Sequence, residues 1–266
     1  EIYTLSLHDA LPIFGRLRPY LCNRFMGLSV PASVASVAVR KLMLGAAQGV
    51  YTLLGALAGY SLLQLVSSRI VGFDGLGALL VVSGLAVFLF FMLFLLLLLN
   101  GNVASQLHQL LLRIPFRKIK GWLLEKESGF LDTDEALSSY RGSPSGGRIL
   151  AMCYYVVAWL MLTVESYIIL TLLGAEVSFT QIFAIDVALA MLRSVFFFIP
   201  SGLGVQDLGY LVFFQTLGLH DFSAASAAFV LLRRFREVIW HAFGYGVMFF
   251  SGVHLRDAER IDSIDS

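Results

Sequence analysis

The stretch "LGALLVVSGLAVFLFFMLFLLLLL" runs from Leu76 to Leu99 without one charged residue. About 20 consecutive apolar residues are enough to cross a bilayer as a helix. Hydrocarbon offers the backbone no hydrogen-bond partner, so such a segment has to close its bonds within itself. A helix that is apolar all round also has nothing polar to offer a site, and this one reads as a lipid-facing anchor. The rest of the chain agrees. Of 266 residues, 58% are hydrophobic and 14% charged, with a mean hydropathy of +0.80, whereas soluble domains carry roughly 25% charged residues. The sequence is therefore that of an integral membrane protein.

Several classes of partner and chemistry fall away at once. A net charge of +1 with no basic stripe outside the loops argues against nucleic acid. Cys22 and Cys153 stand far apart and in no ligand spacing, so neither a disulfide framework nor a metal site is expected, and each reads as a small apolar packing residue. No cofactor is implied.

The first residues need separate treatment. "EIYTLSLHDALPI", Glu1 to Ile13, matches the translation of a common sequencing-library adapter, so it is set aside from functional reasoning, His8 and Asp9 included. The authentic fragment is expected to begin near Phe14, with the natural N-terminus missing. On this reading residues 14–252 form a single, truncated transmembrane domain containing a cytoplasmic loop over 100–148, and a polar tail covers 253–266.

Hydrophobic runs place a first span at Leu42 to Val66, a second ending at Leu99, and a third at Ile149 to Leu173. After the turn "GAEVS" come "FTQIFAIDVALAMLRSVFFFI", "VQDLGYLVFFQTLGL" and the segment from Ser223. The first span holds two GxxxG spacings, Gly45 with Gly49 and Gly55 with Gly59, which let another helix approach closely. Arg16, Arg18, Arg24, Arg40 and Lys41 precede it, seven basic residues lie in the central loop, and none lies in "GAEVS". The positive-inside rule then makes the N-terminal segment, central loop and tail cytoplasmic. Either six crossings or a re-entrant pair near Pro200 satisfies that parity. Within the loop, "VASQLHQLLLRIPFRKIKGWLL" either lies along the interface with Trp122 at headgroup depth or is solvated, and "SSYRGSPSGG" reads as a flexible linker.

Charges inside apolar segments are the strongest physical signal, since each costs roughly 2.5 to 3.5 kcal/mol at a helix centre on the insertion scale. They are Glu165, Asp186, Arg193 and the group Arg233, Arg234, Arg236 and Glu237. Glu165 is either protonated or faces a polar interior. Asp186 and Arg193, seven apart, share a helix face about 10 Å from one another and cannot pair. Arg233, Glu237 and His241 follow each other at helical spacing, so an Arg233 to Glu237 contact is available. Arg234 and Arg236 either snorkel to an interface or reach a phosphate in a cavity. His241, beside Trp240, reads as an interfacial residue.

The stretch "FFFIPSGLGVQDLGY", Phe196 to Tyr210, interrupts all this. Pro200 removes a backbone donor and disfavours helix at Ile199, while Gly202 and Gly204 permit conformations other residues avoid. A helix has to stop here. A new one starting near Val205 would aim unpaired N–H groups at the gap, a candidate anion site. Broken helices at membrane depth mark substrate sites in transporters, and the alternative is an ordinary loop between spans.

"LRSVFFFIPSGLGVQDLGYLVFFQTLGL" followed by "AFVLLRRFREVIW" resembles the flippase-like family, also called the lysylphosphatidylglycerol synthase transmembrane region, and in particular bacterial membrane proteins encoded with hopanoid biosynthesis. The family's Pro-Gly-x-Leu-Gly-x-x-Glu break falls on Pro200, Gly202, Leu203, Gly204 and Asp207. Its upstream arginine falls on Arg193, and its basic-Arg-x-Arg-Glu run on Arg233, Arg234, Arg236 and Glu237. Ser201 stands where glycine is usual and Asp207 where glutamate is usual. "RFMGLSVPASVASVAVRKLMLGAAQGVYTLLG" extends the likeness to most of Arg24 to Phe250.

The resemblance implies an all-α, polytopic transmembrane bundle with broken or re-entrant helices near Pro200, in a bacterial inner membrane, binding and translocating a lipid. Its implied substrate-binding residues are Arg193, Pro200, Gly202, Gly204, Asp207, Arg233, Arg236 and Glu237, with Glu165 beside them. The soluble aminoacyl-transferase domain of the lysyl-lipid synthases has no counterpart, so no enzymatic activity is expected. Lipid-biosynthesis enzymes are the expected protein partners. Two other readings remain at this stage: a membrane-embedded enzyme acting on a lipid phosphate, and a non-transporting scaffold.

Overall fold

A computed structural model describes residues 27, 29–100, 127–142, 145–196, 199, 202, 204–217 and 223–250. Among these residues there are eight α-helices and no strand. The elements are α1 (Val30–Ala58), α2 (Tyr60–Val71), α3 (Leu76–Asn100), α4 (Glu127–Gly142), α5 (Ser145–Leu172), α6 (Phe179–Val195), α7 (Val205–Thr216) and α8 (Ser223–Phe250). The all-α transmembrane bundle expected from the sequence is what forms. The N-terminal thirteen residues, Cys22, the stretch from Val103 to Leu124 and the tail beyond Phe250 lie outside the described residues.

The first span differs from its expected bounds. It begins at Val30, where Ser29 caps the helix by accepting from the Ala32 N–H and Pro31 occupies the first turn, the one place where a proline's missing donor costs nothing. The pair Arg40–Lys41 had pushed the apolar window downstream. The helix also stops sooner, at Gly59, and the chain restarts as α2, which runs past the expected end at Val66 to Val71. Ser67 then clamps the turn, donating to the Phe73 carbonyl at 2.6 Å and accepting from the Leu76 N–H at 2.9 Å.

α1 is the central post, and its glycines set its two interfaces. A Cβ on Gly45 would lie 2.7 Å from the Phe91 ring, and one on Gly49 would collide with the backbone of Phe88. A Cβ on Gly84 of α3 would lie 2.9 Å from the Leu53 backbone nitrogen. These pairings run in opposite directions along the two chains, so α1 and α3 are antiparallel and in backbone contact. The second GxxxG pair faces elsewhere: Gly55 abuts Phe183 and Val187, and Gly59 abuts Ala184, all on α6. Both spacings thus serve close helix approach.

The far side of α3 is bare. Val82, Leu85, Leu89, Phe90, Leu93 and Phe94 are exposed, as expected of a lipid-facing anchor. At the end where α3 reaches Leu99, α4 closes the bundle by burying Leu137 against Ala35, Val39, Met43, Leu95 and Leu99. The expected flexible linker is largely helix: Ser138 to Gly142 finish α4 and α5 already starts at Ser145. Leu137 anchors α4, and Gly146 and Gly147 fall in the first turn of α5, where helix is least demanding. Cys153 is exposed on α5 rather than packed. The main core joins Leu63 and Leu80 to Leu170, Ile185, Leu189, Phe213, Phe214 and Phe229 of α5 to α8.

Candidate functional site

α6 starts at a capping box in which Ser178 and Gln181 exchange side-chain and backbone bonds. It ends at Val195, five residues ahead of Pro200, and α7 starts at Val205. Between them the chain turns through hydrogen bonds from the Ile199 N–H to the Phe196 carbonyl and from the Gly202 N–H to the Ile199 carbonyl, both 3.0 Å. Gly202 and Gly204 have φ of 60° and 80°, a region that a side chain strongly disfavours. The break read from the sequence is present. Pro200, Ser201 and Leu203 themselves lie outside the described residues.

α6 and α7 form an antiparallel hairpin. Asp186 meets Tyr210, Leu189 packs on Gly209, and the methylene stem of Arg193 lies over Gly202. With 17 and 12 residues, the two helices span about 26 Å and about 18 Å at ~1.5 Å per residue, short of the ~30 Å hydrocarbon core. The depth of the turn follows from its neighbours. Ser194, at the end of α6, accepts from Gln48 Nε2 at 2.7 Å. Gln48 adjoins Gly49, which packs on Phe88, the middle of the Leu76–Leu99 run. The hairpin therefore turns back level with the middle of the Leu76–Leu99 helix.

Charged side chains gather at this turn. Arg234 forks onto Asp207, with Nε to Oδ1 at 3.0 Å and Nη2 to Oδ2 at 2.7 Å, and its Nη1 donates to Glu237 Oε2 at 2.7 Å. Asp207 also accepts the Gly204 N–H at 3.1 Å, so it caps its own helix. This revises the anion site expected at the start of α7, because an internal carboxylate already takes that donor. Arg236 pairs with Glu165 across to α5, and the Glu237 carbonyl is bonded to His241 Nδ1. Arg234, Asp207, Arg236, Glu165 and Glu237 are all partly shielded, with side-chain exposures between 19% and 26%. That leaves them reachable.

A second cluster lies deeper. Asp186 of α6 is 6% exposed and accepts from the Tyr210 hydroxyl of α7. Arg233 of α8 donates to that same hydroxyl and, at 2.9 Å, to Ser166 Oγ of α5, while its Nη1 stands 3.6 Å from Asp186 Oδ1. Its guanidinium also lies over the Tyr210 ring, 4.8 Å from the centroid. Next door Tyr51 and Thr163 share a hydrogen bond of 2.7 Å.

The residues named from the sequence divide accordingly. Gly202, Gly204, Asp207 and Arg193 lie at the turn, Glu237 joins them through Arg234, Arg236 and Glu165 pair with one another between α8 and α5, and Arg233 turns inward to Asp186. The available Arg233 to Glu237 contact is not made, because Arg234, one residue on, takes Glu237. Sequence reasoning left Arg234, Asp186, Tyr210 and Ser166 out of the site. Asp186 and Arg234 had been marked as membrane-embedded charges. For Tyr210 the signal was its place three residues after Asp207, one helical turn along the same face.

A bundle of long apolar helices with a broken-helix hairpin and an arginine-carboxylate cluster beside it defines a polytopic α-helical membrane protein. The family described as Lysylphosphatidylglycerol synthase TM region matches residues 15–246, and the chain belongs to that family. Neither a curated protein nor a solved structure matches it.

Proposed function

We propose that this protein binds the polar headgroup of a membrane lipid at the α6–α7 turn and moves the lipid between leaflets. The observation that supports the reading is the level of the turn beside the middle of the Leu76–Leu99 run; read as a re-entrant hairpin, it brings Arg193 and the Arg234–Asp207 pair to a gap in the helix at mid-membrane, with the Arg236–Glu165 pair on the adjoining helices. Here an anionic or zwitterionic headgroup competes with Asp207, Glu237 and Glu165 for guanidinium donors those carboxylates now occupy. Exchange of one anion for another keeps the arginines paired at every stage, which avoids the large cost of an unpaired charge in a low-dielectric site. The family resemblance favours a hopanoid, another terpenoid lipid or a phospholipid as cargo, a bacterial inner membrane as the location, and lipid-biosynthesis enzymes as partners.

The protein acts on this reading as a carrier and not as an enzyme. Translocation of fluorescent phospholipid in vesicles containing the wild type, Arg193→Ala or Asp207→Ala is the test. Both variants are expected to lose most of the wild-type rate, and equal rates in all three would sink the site. A labelled isoprenoid phosphate is expected to be recovered unaltered. Its turnover would support a lipid-phosphate enzyme, and co-purification of biosynthetic partners without any transport would support a scaffold.

A further inference from the structure

The Asp186 cluster takes no part in that headgroup site, and its geometry is unusual. Oδ1 accepts from Tyr210 and faces Arg233, yet Oδ2 is buried with no hydrogen-bond partner. Buried polar oxygens are nearly always bonded, and an unbonded carboxylate oxygen is the more costly case. Two influences therefore oppose each other on one group. The Tyr210 hydroxyl and the Arg233 guanidinium favour the charged carboxylate, while burial and the bare oxygen favour the neutral acid.

The groups facing Asp186 come from every neighbouring element. α1 brings Tyr51, α5 brings Thr163 and Ser166 with Glu165 beyond them, α7 brings Tyr210 and Gln206, and α8 brings Arg233 and, further off, Glu237. α2 and α3 contribute only apolar side chains, Leu63, Val66, Leu76 and Leu80, to the core that packs on α6. Arg193, on α6 itself, is seven residues away beside Gly202. Among the described residues Arg233 is thus the cation in direct reach of the carboxylate, and the nearest other polar groups are the hydroxyls of Tyr210, Ser166 and Thr163.

We infer that Asp186 is a proton-binding site, with Oδ2 the atom that takes the proton. Binding forms one O–H bond on Oδ2 and removes the negative charge, and release returns the proton to water through the neighbouring hydroxyls. In the ionised state Asp186, Tyr210, Arg233 and Ser166 tie α6, α7, α8 and α5 together. Protonation cancels the attraction between Asp186 and Arg233 and loosens the hairpin from α8. Arg233 adjoins Arg234, and Tyr210 lies one turn from Asp207, so the change is felt at the headgroup site. Lipid movement would then respond to a proton gradient.

Infrared difference spectra of the purified protein in phospholipid vesicles, recorded as pH is stepped, read protonated carboxyl groups directly through their C=O stretch. The wild type is expected to show a titrating carboxylic-acid band that disappears in Asp186→Asn and survives in Asp207→Asn. Tyr210→Phe is expected to shift its frequency, because the hydrogen bond to Oδ1 is lost. Carbon-13 labelling of aspartate in the wild type is expected to move the band, which identifies it as an aspartate and, with the Tyr210→Phe shift, assigns it to Asp186 even if Asp186→Asn fails to fold. A band indifferent to aspartate labelling, one unchanged in Asp186→Asn, or none across the range in which the protein stays folded would overturn the assignment. The readout needs no lipid transport, so its outcome and that of the translocation assay stand apart.

Discussion

The two interfaces of α1 and the α6–α8 region hold helices together by opposite means. Along α1, association rests on absence: Gly45, Gly49 and Gly84 remove side chains so that backbones and rings meet. In the α6–α8 region it rests on presence, with four carboxylates on four helices engaging three arginines of one helix. Lipid is as apolar as leucine and supplies no hydrophobic drive between helices, so both methods are real options in a membrane. They differ in what they allow. A glycine contact is a shape match with one solution. Ion pairs can exchange partners without leaving a charge bare, and that freedom is what a site needs.

Substitutions should separate the two regions by size of effect. Gly49→Leu drives a side chain into the Phe88 backbone and should cost about 3 kcal/mol, the upper end for overpacking, or prevent folding, as read by thermal unfolding in detergent. Asp207→Ala removes both the cap of α7 and the Arg234 fork, and should cost about 2 kcal/mol, between a lost cap and a broken buried pair. Glu165→Gln keeps shape and removes one charge, for a loss of about 1 kcal/mol, since that pair is still partly solvated. Leu89→Ala, on the bare face of α3, should stay within ~0.5 kcal/mol. A Gly49→Leu protein as stable as Leu89→Ala would erase the distinction drawn between these regions.

Much of this was legible beforehand. The uncharged run to Leu99 marked the anchor, Pro200 with Gly202 and Gly204 marked the break, and the charges in apolar segments marked the residues that form the ion-pair cluster. The helix start at Val30 was hidden because Arg40 and Lys41 lower local hydropathy, although they sit opposite the last leucines of α3, where the apolar run ends. Which arginine meets which carboxylate was not legible either. Arg233 and Arg234 are neighbours, and about 100° of helical rotation sends one inward to Asp186 and the other to Asp207. Only the packing of α8 on α5 and α7 decides which goes where. The capping role of Asp207 was within reach, since it stands three residues after Gly204, the spacing of a capping box.

Depth-resolved spin labelling tests the re-entrant hairpin most directly. In a cysteine-free background, a nitroxide at Ser194 is compared with nitroxides at Leu89 and Leu97 on α3 through accessibility to oxygen and to a water-soluble nickel chelate. Ser194, which Gln48 ties to the middle of the anchor, should report the same depth as Leu89. A Ser194 label at the depth of Leu97, near the far interface, would make α6 an ordinary crossing and contradict a headgroup site at mid-membrane.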